Sequence, residues 1–239
     1  MRVVRANESV PDFLVERAPQ AGLSARGSAA VADVPLGGAG KRLLDILLVI
    51  LSLPLLLPLM AGIAVLLKLT SPGPLLYGHR RIGFQGRAFR CWKFRTMVVD
   101  GDRVLDRYLQ AHPQEAAVWA AQRKLDNDPR VTRVGAVLRK LSLDELPQLL
   151  NVLSGEMSLV GPRPVVQAEL DEHYGSAASA YLSARPGLTG LWQISGRSDT
   201  TYAERIRLDC RYVRRWTLWG DLRIILLTIP ALALSRGAR

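Results

Sequence analysis

The sequence predicts an α/β, monotopic membrane protein: a re-entrant helix-break-helix anchor bearing a mostly helical domain with short strands and interfacial amphipathic helices. Three observations carry this. Residues 43–67 are almost uninterruptedly apolar and have cationic residues beyond both ends. A formal charge of +11 sits beside 49% apolar residues, so basic surface and greasy segment must face one anionic, partly apolar environment. Helical periods outnumber strand patterns, and no G-x-G-x-x-G follows a strand, which excludes a dinucleotide-type doubly wound sheet.

Residues 1–40 mix Gly, Ala, Ser, Pro and scattered charge without an apolar period and predict a flexible tail. No small-residue cleavage pattern follows the apolar stretch, so it is expected to be retained rather than removed as a signal. At about 1.5 Å per residue, residues 43–67 could cross a hydrocarbon core of about 30 Å. Pro54 and Pro58 lie near its middle, and Lys41 and Arg42 before it and Lys68, Arg80 and Arg81 after it favour the cytoplasmic side for both ends. A helix broken at Pro58 that returns to the face it entered satisfies both facts, and a kinked full span stays open beside it. The expected division is a tail over 1–40, the re-entrant helix over 41–69 and a cytoplasmic interfacial domain over 70–239.

Beyond Ser71-Pro72-Gly73-Pro74, a turn, Leu75-Leu76-Tyr77 and Phe89-Arg90-Cys91-Trp92-Lys93-Phe94 read as short strands around a Gly83-Phe84-Gln85-Gly86 loop. Residues 100–124 read as one polar helix despite Pro113. Residues 134–153 carry two helical stretches, the second from about Asp144 with Ser142 as its N-cap and Leu146, Leu149, Leu150 and Leu153 on one face. Residues 202–215 are amphipathic and very basic. Trp216, Trp219 and an apolar run over 222–234 then suit the headgroup layer, with a buried C-terminal helix as the alternative.

Two adjacent carboxylates, Asp144 and Glu145, open a helical stretch, where free N–H groups favour anions. Because neighbouring residues point apart, one carboxylate can hold a divalent cation while the other faces a phosphorus atom. Alone, such a dipeptide usually only charges a first turn. Here Arg139, Arg163, Arg185 and Arg197 surround it in sequence, several set among Gly and Pro, and guanidinium forks match phosphate oxygens. The two cysteines, Cys91 and Cys210, form neither a disulfide framework nor a zinc motif. His79, His112 and His173 lack metal-ligand spacing and read as local structural residues. No helix-turn-helix, zinc module or aromatic-basic pattern points to nucleic acid.

Lys41-Arg42-Leu43-Leu44-Asp45, the run from Trp92 to Met97, Leu141-Ser142-Leu143-Asp144-Glu145-Leu146-Pro147-Gln148-Leu149, Asn151-Val152-Leu153, the run from Met157 to Pro164 and the run from Arg185 to Gly190 resemble, in that order, the monotopic polyprenyl-phosphate hexose-1-phosphate transferases, the bacterial sugar transferase family, exopolysaccharide type. The match covers roughly residues 41–235. The resemblance implies transfer of a hexose-1-phosphate from a UDP-hexose to undecaprenyl phosphate with release of UMP, Mg²⁺ as cofactor, and a place on the cytoplasmic face of the inner membrane. It implies Asp144 as nucleophile, Glu145 with Asp144 at the metal, Arg139 and Arg163 on the phosphates, and Lys93, Arg185 and Arg197 along the donor site. Pro58 matches the proline that breaks the family's re-entrant helix, although Leu57 stands where a serine is common. Membrane lipids and, through self-association, a homodimer are the remaining expected partners. A basic membrane adaptor without chemistry, and a hydrolase using the same Asp and metal, are the rival readings. Dependence on the lipid acceptor separates the hydrolase.

Overall fold

The computed structural model describes residues 33–122, 125, 127–195 and 201–233. The expected tail therefore falls outside the described residues up to residue 32. Its last part is already held: the Leu36 N–H donates to the Ser183 carbonyl at 3.0 Å, and the first helix starts at Gly38.

That helix, α1 (Gly38–Thr70), runs 33 residues, about 50 Å at 1.5 Å per residue, and continues through Pro54 and Pro58. Its buried stripe is Lys41, Asp45, Val49, Ile63 and Leu67, at helical spacing. The middle is barer: Pro54, Leu55 and Leu57 through Leu59 are exposed. The lost N–H groups of the two prolines lie in this uncovered stretch, so any bend falls where no protein contact opposes it.

An antiparallel hairpin follows, β1 (Leu76–Ile82) and β2 (Ala88–Phe94), with Tyr77 opposite Lys93 and His79 opposite Cys91. Phe89 and Cys91 point from one face into an apolar cluster with Val49, Leu149, Val152 and Met157. Phe94 joins Ile63, Leu67 and Leu138 in a second cluster. One strand thus contacts α1 at two places fourteen residues apart, Val49 and Ile63.

The single helix expected over 100–124 is two, α2 (Gly101–Ala111) and α3 (Pro113–Gln122), because proline disfavours helical backbone at His112 and takes a first-turn position itself. Then come α4 (Arg133–Lys140), a 3₁₀ turn (Leu143–Glu145) and α5 (Gln148–Ser154). The helix expected to begin at Asp144 begins at Gln148. Ser142 makes no side-chain cap and lies in the left-handed region at φ 55°.

Two three-residue strands, β3 (Ser158–Val160) and β4 (Gly187–Thr189), pair in parallel. Their flanking glycines let two backbones touch: a Cβ on Gly187 would meet the Gly161 nitrogen at 2.1 Å. Between them lie α6 (Gln167–Glu169), a π turn (Leu170–Tyr174) and α7 (Ala178–Leu182). The chain closes with α8 (Leu191–Ile194), α9 (Tyr202–Arg214) and α10 (Leu218–Ala233). On α10, Asp221 and Ile224 are buried while Trp219, Leu226 and Ile229 are exposed. An apolar outer stripe on a docked helix suits a membrane surface.

Candidate active site

Three elements meet at the acidic pair. Thr132 caps α4 by accepting the Gly135 N–H at 2.9 Å, and its own N–H donates to the Thr96 carbonyl at 3.0 Å, so α4 hangs from the chain just past β2. This carries Arg139 to the last turn of α4, five residues before Asp144. Leu143 and Leu146, three apart in a 3₁₀ turn, fall on one side and pack against the cluster of Ile63, Leu67, Phe94 and Leu138. Asp144 and Glu145 are left facing Lys93 from β2.

The Lys93 Nζ lies 2.6 Å from Glu145 Oε1 and 3.9 Å from Asp144 Oδ2. Asp144 is only 7% exposed; Glu145 is half-buried. Burial pushes the Asp144 carboxyl up to about 6, with the Glu145 charge adding to it and Lys93 and Arg139 pulling the other way. Burial works against the Lys93 ammonium, but Glu145 and Asp144 together outweigh it and hold its pKa above the usual lysine value. The result is a poorly solvated carboxyl group beside two cations and a second acid. A carboxylate short of water is a stronger nucleophile, and the flanking cations favour an anionic partner.

The same hairpin face carries Tyr77, His79 and Arg81 opposite Lys93, Cys91 and Phe89. Arg81 reaches Glu169 at 3.4 Å, and Arg163 reaches the same carboxylate at 3.5 Å. Arg163 lies over the Trp192 ring, 5.7 Å from its centre, and Tyr202 donates to Glu169 at 2.6 Å. Lys93 and Arg81 thus stand at the two ends of this hairpin face with His79 and the buried Cys91 between them, and Glu169 joins Arg81 to Arg163.

The sequence-predicted residues divide accordingly. Lys93, Arg139, Asp144 and Glu145 come together. Arg163 stands beyond Arg81, paired with Glu169, with no direct contact to the acidic pair among the described residues. Arg185 is elsewhere: its Nε donates to the Gly155 carbonyl at 2.8 Å, beyond the C-terminal end of α5. The glycines and prolines around it serve the β3–β4 crossing, so its setting has a packing cause. Arg197 lies outside the described residues. Pro58 lies in the bare middle of α1. Glu169, Arg81 and Tyr202 carried no signal in the sequence, since they come from separate elements and share no spacing.

As for a metal, no group of three or more His, Cys, Asp or Glu converges among the described residues. The two carboxylates nevertheless fit Mg²⁺, which takes one or two carboxylates and completes its octahedron with phosphate oxygens and water.

Residues 37–235 match the bacterial sugar transferase family, and the chain belongs to it. It is 57% identical over 204 residues to the exopolysaccharide production protein ExoY of Sinorhizobium fredii (strain NBRC 101917 / NGR234), covering 85% of this chain and 90% of that one. It is 49% identical over 199 residues to the undecaprenyl-phosphate galactose phosphotransferase of Salmonella typhimurium, covering 83% of this chain and 41% of that one. It is 41% identical over 209 residues to the UDP-glucose:undecaprenyl-phosphate glucose-1-phosphate transferase of Escherichia coli, covering 82% and 41%. The chain therefore spans nearly all of the first relative and under half of the other two.

Proposed function

We propose that the chain transfers a hexose-1-phosphate from a UDP-sugar to undecaprenyl phosphate, as the first membrane step of exopolysaccharide or other surface-glycan assembly. The observation that carries this reading is the buried Asp144 carboxylate, placed beside Glu145 and 3.9 Å from the Lys93 ammonium. The printed names of the relatives from Salmonella and Escherichia coli support the lipid acceptor, and the latter supports a UDP-sugar donor.

In this reading an Asp144 oxygen attacks the phosphorus that bears the sugar. The bond from that phosphorus to the bridging oxygen breaks, UMP leaves, and the sugar phosphate stays on the carboxylate as an acyl phosphate. An oxygen of the polyprenyl phosphate then attacks the same phosphorus, forming the diphosphate and freeing Asp144. Lys93 and Arg139 offset charge on the phosphates, and Arg163 takes the distal part of the donor. Glu145, with Asp144, would hold Mg²⁺, which when bound neutralises phosphate charge. Glu145 bonds Lys93 through Oε1 alone, so its other oxygen would be the one to face the metal.

The anchor reading is monotopic, with the catalytic domain on the cytoplasmic face of the inner membrane. It draws on the contacts of α1: Lys41 is bound to Asp221 and Val49 packs with Phe89, while Ile63 and Leu67 pack with Phe94. Lys41 and Leu67 are about 39 Å apart along a straight helix, so a full span would put them at opposite faces of a core of about 30 Å although both pack on one domain. Replacing Pro58 by Leu is expected to straighten α1 and let the N-terminus cross, which cysteine labelling of the tail from each side reads out; a tail that stays cytoplasmic counts against the break.

The test of the function is UMP release from UDP-hexoses in Mg²⁺, with and without undecaprenyl phosphate, by wild type and Asp144→Asn. Lipid-dependent turnover lost in the variant supports the transferase. Lipid-independent turnover would make it a hydrolase, and no turnover with any sugar would favour a binding protein.

A further inference from the structure

The Glu169 carboxylate ties together β1, the loop after β3 and α9. Its Oε1 lies 3.4 Å from Arg81 Nη1, its Oε2 lies 3.5 Å from Arg163 Nη1, and the Tyr202 hydroxyl donates to the same Oε2 at 2.6 Å. The short bond from Tyr202 fixes the carboxylate, while the two long approaches hold each guanidinium loosely. Each arginine gives Glu169 one of its five N–H donors, and neither side chain makes another hydrogen bond among the described residues. Two guanidiniums against one carboxylate leave one positive charge over. Their side chains are only 16% and 31% exposed, so an anion that met them would be partly shielded from water.

The hairpin relates this pair to the reactive corner. Arg81 stands four residues along β1 from Tyr77, the cross-strand partner of Lys93, and alternate residues of a strand share a face. Arg163 is held from two sides: its backbone N–H donates to the buried Asp209 at 3.4 Å, and its guanidinium lies over the Trp192 ring. The two cations are therefore set on rigid backbone with most of their donors unspent.

We propose that Arg81 is a second guanidinium for the donor, seating with Arg163 the phosphate of its UMP half, and that Glu169 is the positioning residue that sets the two apart. The proposal rests on the transferase reading and adds two residues to it. A guanidinium fork matches phosphate oxygens, and two of them suit the dianion that forms as UMP leaves. The acceptor brings a single phosphate, which must reach the phosphorus held by Asp144. The donor brings two, so its second phosphate needs donors other than those at the reactive turn. Unspent guanidinium donors on the face that carries Lys93 meet that need.

The test uses the full chain in nanodiscs with Mg²⁺ and reads the inhibition constant of UMP, the KM for UDP-hexose, the KM for undecaprenyl phosphate and the melting temperature. Arg80→Gln is the control, since it removes the same charge from an exposed neighbour on the opposite face of β1. Arg81→Gln is expected to raise the UMP inhibition constant and the donor KM about tenfold each, and Arg81→Lys, which keeps the charge and loses the fork, about threefold. The acceptor KM and the melting temperature should stay near those of Arg80→Gln. Glu169→Gln keeps an acceptor for Tyr202 but no longer draws both cations, and should weaken UMP about threefold. Tighter UMP binding in Glu169→Gln than in wild type would show that the carboxylate only competes with the ligand and would overturn its positioning role. Arg81→Gln with UMP inhibition and donor KM equal to those of Arg80→Gln would overturn the seat, and an acceptor KM that moved in their place would give it to the lipid phosphate. Wild type that turns over no UDP-hexose would overturn the transferase reading itself, and this seat with it, before any variant is compared.

Discussion

Two charged corners of this molecule use the same residue types to opposite ends. At the base of α1, Lys41 pairs with Asp221 at 2.5 Å, Arg42 donates to the carbonyls of Val152 and Leu153, and Asp45 accepts from Ser158 Oγ at 3.1 Å and from the Leu159 N–H at 3.0 Å. Asp221 also accepts from Tyr212 and Trp216. There, charge is consumed in joining the anchor to the domain. At the reactive turn, the Asp144 carboxylate comes no closer than 3.9 Å to Lys93, and Arg139 stands exposed with no ion pair among the described residues. At the base of α1 every charged side chain is hydrogen-bonded across to the domain, although one Asp45 oxygen is left without a partner among the described residues; at the reactive turn the cations are held back from Asp144, which suits a ligand.

If the comparison holds, substitutions in the two corners separate activity from stability. The largest effect is expected from Asp144→Asn: transfer and the covalent intermediate fall together by at least about 10³-fold, because the amide is a poor nucleophile. Its melting temperature at pH 8 should match or exceed wild type, since burial already disfavours the charge that is removed. Asp221→Asn should do the reverse. It leaves Lys41 buried without its counter-charge, at a cost of about 3–5 kcal/mol, while molecules that remain folded keep their kcat. Thermal scans and active-site titration on both variants read the crossing.

A fourth buried acid sharpens the contrast through pH. Asp209 accepts from the Arg163 N–H and the Tyr174 hydroxyl, and burial pushes its carboxyl up to about 7. A raised acid binds its proton more tightly folded than unfolded, so it weakens the fold as pH climbs from about 4, fully so above about 7. Asp209→Asn should therefore be more stable than wild type at pH 8, by up to about 4 kcal/mol, with the difference nearly gone at pH 4.5. A difference that does not change with pH would place the proton elsewhere. Smaller again, Arg42→Ala removes a cation and two hydrogen bonds from the end of α5 and should cost about 1–2 kcal/mol. Arg42→Lys, which keeps the charge and loses the fork, should recover less than half of it.

The sequence disclosed those parts whose cause is local. The apolar length of α1 and the strand–turn–strand pattern of the hairpin follow from neighbouring residues, and both are found. The acidic pair stood out for its position before an apolar periodic run, and Lys93 and Arg139 do join it. What stayed hidden depends on distant partners. Lys41 and Asp221 are 180 residues apart, so the Lys-Arg-x-x-Asp run gave no sign that it fastens the anchor. Strands of three residues are too short to show a period, so β3 and β4 went unseen, and with them the bond from Arg185 Nε to the Gly155 carbonyl. Pro113 and Pro147 were visible, but only the structure gives the helices on either side of them separate starts.

The smallest predicted effect tests what kind of device the reactive corner is. Ser142 holds φ 55°, ψ 21°, a conformation that costs an L-residue roughly 1 kcal/mol, two positions before Asp144. Its N–H donates to the Arg139 carbonyl, its carbonyl accepts from the Glu145 N–H, and its hydroxyl makes no cap. The backbone turn, not the side chain, therefore swings the chain from α4 into the 3₁₀ turn. Glycine adopts that conformation freely but loses more entropy on folding, so Ser142→Gly should change stability by less than about 1 kcal/mol and kcat by no more than about threefold. Ser142→Val, whose branched side chain resists positive φ, should lower kcat by about tenfold or more through displacement of Asp144. Were Ser142→Gly to lose activity while Ser142→Thr kept it, the hydroxyl would be a substrate contact, and the left-handed turn would be the means of presenting it.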